Sequence, residues 1–164
     1  MNDVEKGNVM PEMIRVLFVC HGNICRSQMA EAMFRDLVRK KGREEMFFID
    51  SAGTSSEEYG NPMYYAAKEK LRENRIDCGN HRARTMRRDD YEKFDYLIGM
   101  DQWNIRNMTR ICGGDPKKKI FLMKSFIGEN DEISDPWYTR DFERTYQDLK
   151  RTLPASYDYA TKNG

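Results

Sequence analysis

The chain has no long hydrophobic run. Its longest, Val16-Leu17-Phe18-Val19-Cys20, falls far short of the roughly 20 apolar residues that cross a bilayer, so no membrane segment is expected. It has no excess of either charge: Lys and Arg total 28 against 27 for Asp and Glu, a net charge of +1. Without an overall field to draw a polyanion, nucleic acid is not an expected partner. Cysteine is scarce, with four residues at Cys20, Cys25, Cys78 and Cys112. That is too sparse for a secreted disulfide framework and suits thiols kept reduced in the cytosol. The two histidines and the scattered cysteines give no metal-ligand spacing, so no metal is expected. Low-complexity tracts and internal repeats are absent too, which argues against disorder and repeat architectures. Residues 1–13 lack the apolar stretch of a signal peptide. They are read as a flexible N-terminal extension before one domain over 14–164, in a cytoplasmic protein.

What is present is an alternation of apolar runs and amphipathic segments. Ile14 to Cys20 is β-branched and apolar on both faces, the pattern of a central strand in a parallel sheet. From Ser27, Met29, Ala30, Met33, Phe34, Leu37 and Val38 recur at helical spacing and end at Lys40-Lys41-Gly42. A second strand is expected over 46–49, a helix over 66–73, and helix with connecting loop through the charged segment 84–93. A third strand is expected over 94–100, a helix capped by Asp101 up to about residue 111, and a fourth strand over 119–123. A long loop over 125–137 leads to a final helix over 138–160, where Pro154 threatens a kink or an early end. The fold class implied is α/β: a single-domain three-layer sandwich with a four-stranded parallel sheet and helices on both faces. In such sheets ligands bind beyond the carboxyl ends of the strands, where chain order reverses, which places the segment after Cys20 in the site.

That segment reads Cys20-His21-Gly22-Asn23-Ile24-Cys25-Arg26-Ser27. A thiol, five residues and an arginine, followed at once by a helix, make a loop able to wrap backbone N–H groups around one tetrahedral anion. Gly22 is expected to provide the turn. The N–H groups and the positive helix end favour phosphate, and Arg26 can give two parallel hydrogen bonds to its oxygens. The same field favours a thiolate on Cys20, in line with the bound phosphorus. Read alone, Cys20 would be a buried residue at a strand end; the coincidence of the whole string between strand and helix points to chemistry instead.

The string resembles the phosphate-binding loop of the low-molecular-weight protein tyrosine phosphatases. Asp50-Ser51-Ala52-Gly53, Phe94-Asp95-Tyr96 with Met100-Asp101, and Asp135-Pro136 fall in that family's order and spacing, and the similarity covers 14–153. The resemblance implies a phosphotyrosine-containing protein as substrate, cleaved without a cofactor, by a chain taken to be a monomer. Cys20 would be the nucleophile, Arg26 the phosphate ligand, and Asp135 the general acid that becomes the base for water. Alone, Asp135-Pro136 is a common turn dipeptide; only the family register makes it catalytic. Ser27 would hydrogen-bond the Cys20 sulfur, with helix capping as a companion role. Asn23, Ser51 and His81 would form a polar network holding the loop. Cys25 would either pair with Cys20 on oxidation, protecting it from over-oxidation, or simply fill the loop.

The chain also departs from the family. Trp137-Tyr138 stands where two tyrosines are usual, keeping an aromatic wall. At the opposite rim, Ser55-Ser56-Glu57-Glu58-Tyr59 offers either Tyr59 as the aromatic specificity residue or an acidic rim. His21 either senses substrate there or packs. Asn61-Pro62-Met63 lacks the family's usual helix start. Two other readings compete. An arsenate reductase of the same fold would need a relay of closely spaced downstream cysteines, which Cys78 and Cys112 do not supply. A catalytically silent phosphopeptide-binding module is opposed by the joint presence of Cys20, Arg26 and Asp135. Protein arginine phosphatases resemble a version of the loop with threonine at the position of Ile24.

Overall fold

A computed structural model describes residues 13–163; the extension read over 1–13 lies, apart from Met13, outside the described residues. The strands β1 (Ile14–Cys20), β2 (Phe47–Gly53), β3 (Tyr96–Gly99) and β4 (Ile120–Leu122) form one parallel sheet in the order β2-β1-β3-β4. Its helices are α1 (Arg26–Lys40), α2 (Tyr65–Glu73), α3 (Asp90–Lys93), α4 (Gln102–Cys112), α5 (Pro136–Thr139) and α6 (Phe142–Asn163). Because β1 pairs β2 on one side and β3 on the other, chain order reverses there, and the carboxyl end of β1 opens the crevice. No helix among the described residues is long and apolar enough to cross a membrane.

The alternation along β1 splits the core in two. Val16, Phe18 and Cys20 face one cluster with Met29, Phe34, Val38, Leu149 and Leu153 from α1 and α6. Leu17 and Val19 face the other, with Met108 and Cys112 of α4 and Tyr91 and Phe94 around α3. In the first cluster Phe34 is the hub, its ring centroid 5.4 Å from Phe18 and 5.3 Å from Phe47 in edge-on contacts. Such pairs add to plain area burial.

Four segments differ from the sequence reading. The final helix expected over 138–160 is two, α5 and α6, parted where Arg140 takes a left-handed φ of 60°. β2 runs on to Gly53 because Leu17 to Cys20 pair with Asp50 to Gly53; the ladder overrides the poor strand preference of Asp and Gly. Segment 84–93 is helical only from Asp90. Thr85 bridges Gly53 instead, with Gly53 N–H donating to the Arg84 carbonyl at 2.8 Å and Met86 N–H to the Gly53 carbonyl at 2.7 Å. Pro154 does not end α6, since Tyr146, Leu149, Leu153 and Tyr157 on its buried face hold the helix against α1 and the sheet. The loop over 125–137 is pinned midway: Ile133 is fully buried, and its N–H donates to the Met100 carbonyl at 2.9 Å. That anchor delivers Asp135 to the crevice.

Truncating the hub should show where stability is concentrated. Phe34→Ala is expected to lower unfolding free energy by about 3–5 kcal/mol, read as a lower midpoint in a urea titration.

Candidate active site

Between Cys20 and Arg26 the chain makes its turn at Asn23, whose φ of 62° lies in the left-handed region. The sequence reading gave the turn to Gly22, but Gly22 is not among the positive-φ glycines. Its smallness serves a contact instead, since a Cβ there would lie 3.3 Å from the Glu58 Cγ. Asparagine is among the few residues that tolerate this conformation, provided local hydrogen bonds support it. Gly53 is the second tight point: a Cβ would meet the His21 carbonyl oxygen at 2.7 Å, so β2 can pass beneath the loop only without a side chain there.

The support for Asn23 is extensive, and its polarity can be followed atom by atom. The Arg84 backbone N–H, which can only donate, reaches Asn23 Oδ1 at 3.0 Å and thereby orients the amide. Asn23 Nδ2 must then donate to Ser27 Oγ at 2.7 Å and Ser51 Oγ at 3.0 Å. Ser51 passes its own proton to Glu31 Oε1 at 2.6 Å. Ser27 keeps its own hydroxyl proton, which it can donate to Cys20 Sγ, 3.1 Å away. His81 Nε2 lies 2.9 Å from Asn23 Oδ1, while its Nδ1 faces Glu31 at 3.4 Å and Asp50 at 3.3 Å. The structure thus brings Asn23, Ser27, Ser51 and His81 into one network.

Helix α1 starts at Arg26 with Cys25 as its N-cap, and Cys25 makes no side-chain capping hydrogen bond. Ser27 is therefore not the cap; it lies inside the helix and its hydroxyl serves Asn23 and Cys20. Left without a side-chain cap, the first-turn N–H groups and the helix dipole point at the crevice. Burial, together with Cys20 and Asp135 nearby, pushes the Cys25 thiol strongly up, keeping it neutral.

Arg26 is buried, its side chain 3% exposed. Its Nη1 donates to Asp101 Oδ2 at 2.8 Å and to the Ile133 carbonyl at 2.9 Å, and its Nη2 to Asp135 Oδ2 at 3.4 Å. Burial works against its charge, but Cys20, Asp135 and Asp101 outweigh it and push Arg26 upward. Asp135 is also the N-cap of α5, its Oδ1 accepting from the Trp137 N–H at 3.0 Å.

Cys20, Cys25, Arg26 and Asp135 share one cleft with His21, Gly22 and Ile24 of the loop. Trp137, Tyr138, Glu57 and Glu58 complete its lining. The Trp137 ring is braced edge-on by Tyr64 at 5.1 Å, and Tyr64 is tied to the loop through its N–H to the Ile24 carbonyl at 2.9 Å. Tyr59 is not brought to the cleft; it is 70% exposed and outside the lining. The rim is acidic there, because Thr54 N–H and Ser55 N–H hydrogen-bond the Cys20 and His21 carbonyls and so run segment 54–58 beside the loop. His21 lies 3.6 Å from Glu57.

Several participants were not legible as such. Asp101 was read only as a helix cap, a role it keeps through a capping box with Asn104, yet it also clamps Arg26. Glu31 and Asp50 were given no role in the site, and Arg84, read with Arg82, Arg87 and Arg88 as a solvated helix face, lies instead in extended chain, half-buried between Asp50 and Asp90. Glu31, Asp50 and His81 converge closely enough to share one ion, but each already has protein partners: Arg35 Nη2 lies 2.6 Å from Glu31 and Arg84 Nη2 3.1 Å from Asp50. Burial alone would push the Asp50 carboxyl up; its hydrogen bonds to His81 and the Ser51 N–H, with the Arg84 charge, hold it below the usual range. The available signal was Gln28 and Glu31, polar residues among Met29, Ala30 and Phe34 on the buried part of α1.

Comparison with known proteins agrees with this geometry. The sequence model of the low molecular weight phosphotyrosine protein phosphatases matches residues 15–162. The low molecular weight protein-tyrosine-phosphatase YfkJ of Bacillus subtilis is 41% identical over 140 residues, covering 84% of this chain and 90% of that protein. Its crystal structure superposes with a TM-score of 0.90 at 38% identity, covering 94% of this chain and 99% of that one. The low molecular weight phosphotyrosine protein phosphatase of Gallus gallus is 41% identical over 149 residues, 88% of this chain and 94% of that protein. A Drosophila arginine phosphatase structure superposes with a TM-score of 0.80 at 28% identity, covering 89% and 97% of the two chains. With a family match over nearly all the described residues and a shared fold, the chain belongs to the low molecular weight phosphotyrosine protein phosphatase family.

Proposed function

We propose that this family member hydrolyses phosphotyrosine in proteins, and aryl phosphates, through a phosphocysteine on Cys20. The observation that carries the reading is the convergence of Cys20, Arg26 and Asp135 on one cleft at the uncapped start of α1. In the first step the Cys20 sulfur attacks phosphorus, the bond to the phenolic oxygen breaks, and Asp135 gives that oxygen its proton. In the second, Asp135 takes a proton from water, the water oxygen attacks phosphorus, the P–S bond breaks, and phosphate leaves with Cys20 restored as thiolate. Arg26 and the loop N–H groups carry the phosphoryl charge in both steps. Ser27 stabilises the sulfur when it leaves.

Residues 14–164 are taken as one phosphatase domain acting as a monomer in the cytoplasm, which four free thiols suit. The Trp137 wall and Ile24 at the base provide an apolar slot for a phenyl ring. Support for hydrolysis over thiol relay chemistry comes from Cys112, which packs in the core cluster on the sheet face opposite that of Cys20.

Hydrolysis of an aryl phosphate without added metal tests the assignment. Cys20→Ser should abolish turnover. Asp135→Ala should lower kcat by about 10²–10⁴, more for substrates with poorer leaving groups. Arsenate reduction in place of phosphate release would overturn the reading in favour of the redox enzyme. A second test addresses the loop. Asn23→Ala keeps a Cβ at the left-handed position, which costs about 1–2 kcal/mol, and removes the side-chain hydrogen bonds that offset it at Ser27, Ser51, His81 and Arg84. Asn23→Gly loses the same hydrogen bonds but also the Cβ, and so the backbone strain. Both should lower kcat/KM for aryl phosphate, and thermal denaturation should show Asn23→Ala as the less stable of the two.

A further inference from the structure

The phosphate-binding floor and its surroundings carry opposite charge. Among the described residues Arg26 is the one Lys or Arg that lines the cleft, whereas Glu57 and Glu58 both line it. The Glu57 side chain is 72% exposed and lies 3.6 Å from His21. A second groove continues past Asp135, lined by Asp101, Trp103, Asn104, Glu132 and Ser134. Here too Arg26 is the only Lys or Arg among the described residues of the lining, and it is already committed to Asp101 and Asp135. Arg140 packs over the Trp137 ring, 5.2 Å from its centroid, and is in neither lining.

The second groove also offers contacts for a peptide. Trp103 is 57% exposed, and the Arg106 guanidinium already packs over its ring at 5.0 Å, so the indole is an acceptor for cationic side chains. Asn104 is fully buried; its Oδ1 takes the Met100 and Asp101 N–H groups, while its Nδ2 has no hydrogen-bond partner among the described residues. Ser134 Oγ is likewise buried and unpartnered among them. A donor without an acceptor in a groove beside the cleft suits the carbonyl of an extended peptide.

Resting on the phosphatase reading above, we propose that the enzyme selects phosphotyrosine peptides with lysine or arginine flanking the phosphotyrosine, through Glu57 and Glu58 on one side and Glu132 with Trp103 on the other. The phosphate itself is recognised by the buried Arg26 and the loop. Acidic neighbours of the phosphotyrosine then meet exposed carboxylates, and basic ones pair with them. Each such exposed pair is worth about threefold in affinity at low ionic strength and fades as salt shortens the screening length.

The test uses the full chain with synthetic phosphotyrosyl peptides of one length, flanked by Lys or by Glu, and an aryl phosphate alongside. The expected kcat/KM ratio of Lys-flanked to Glu-flanked peptide is about tenfold or more at low salt, shrinking several-fold at high salt. In Glu57→Gln/Glu58→Gln and in Glu132→Gln the ratio should drop by about threefold or more. Being a ratio within one preparation, it does not depend on the fraction folded. Aryl phosphate hydrolysis with a peptide ratio within twofold, or a ratio unchanged in both variants, overturns this inference and leaves the phosphatase reading standing. Hydrolysis of neither aryl phosphate nor peptide overturns both.

Discussion

One side-chain amide sets the geometry of the site. Asn23 is fully buried in a left-handed backbone conformation and bonds Ser27, Ser51, His81 and the Arg84 N–H. Its backbone carbonyl accepts from Gln28 Nε2 at 2.9 Å. The partners come from three parts of the chain, so the strain of one residue is held by α1, β2 and the extended segment after α2 together. Because the Arg84 N–H fixes which end of the amide donates, Ser27 accepts from Asn23 and keeps its own hydroxyl proton available to the Cys20 sulfur. The proton order of the network thus follows from one backbone donor.

Around that amide the protein buries the charges of Arg26, Glu31 and Asp90, each against a partner. Arg26 faces Asp101, Glu31 faces the more exposed Arg35, and Asp90 faces Arg84, which also reaches Asp50. Isolated, each of the three buried charges would cost several kcal/mol to desolvate; paired, they fix one another's side chains. Arg26, Ser27 and Ser51, to which the proposed mechanism gives the phosphate and its support, are thus held by protein partners alone, the preorganisation under which charge stabilisation is strongest.

Two cysteines five residues apart illustrate how much local surroundings matter. Cys20 ends a strand against a hydroxyl donor. Cys25 sits at the helix cap, buried, with its thiol pushed up by burial and by neighbouring charge. Both lie at the same cleft, yet of the two only Cys20 has, among the described residues, a hydrogen-bond partner at its sulfur, the Ser27 hydroxyl. Proximity to the helix start is common to both, so it is the Ser27 hydroxyl that distinguishes them.

By itself, the sequence determined the parallel sheet, the helices on both faces and the position of the Cys20 to Ser27 loop between strand and helix. Those features follow from local signals: the apolar run Ile14 to Cys20, the helical spacing after Ser27, and a thiol and an arginine that flank five residues. Asn23, Ser51 and His81 could be grouped only through the resemblance to a family, since no local pattern links residues so far apart. The tertiary structure alone decided that Asn23 and not Gly22 makes the turn, and that Asp101, Glu31, Asp50 and Arg84 converge behind the loop. It also decided that Glu57 and Glu58 occupy the rim in place of Tyr59. Each of these depends on how strands and loops pack side by side: β2 lengthens by pairing with β1, segment 84–86 is drawn out by Gly53, and segment 54–58 is carried alongside Cys20 and His21. Such pairings are made between segments distant in sequence, where backbone hydrogen bonds override local preference, so the residues that gather there are chosen by the sheet and not by their neighbours in the chain.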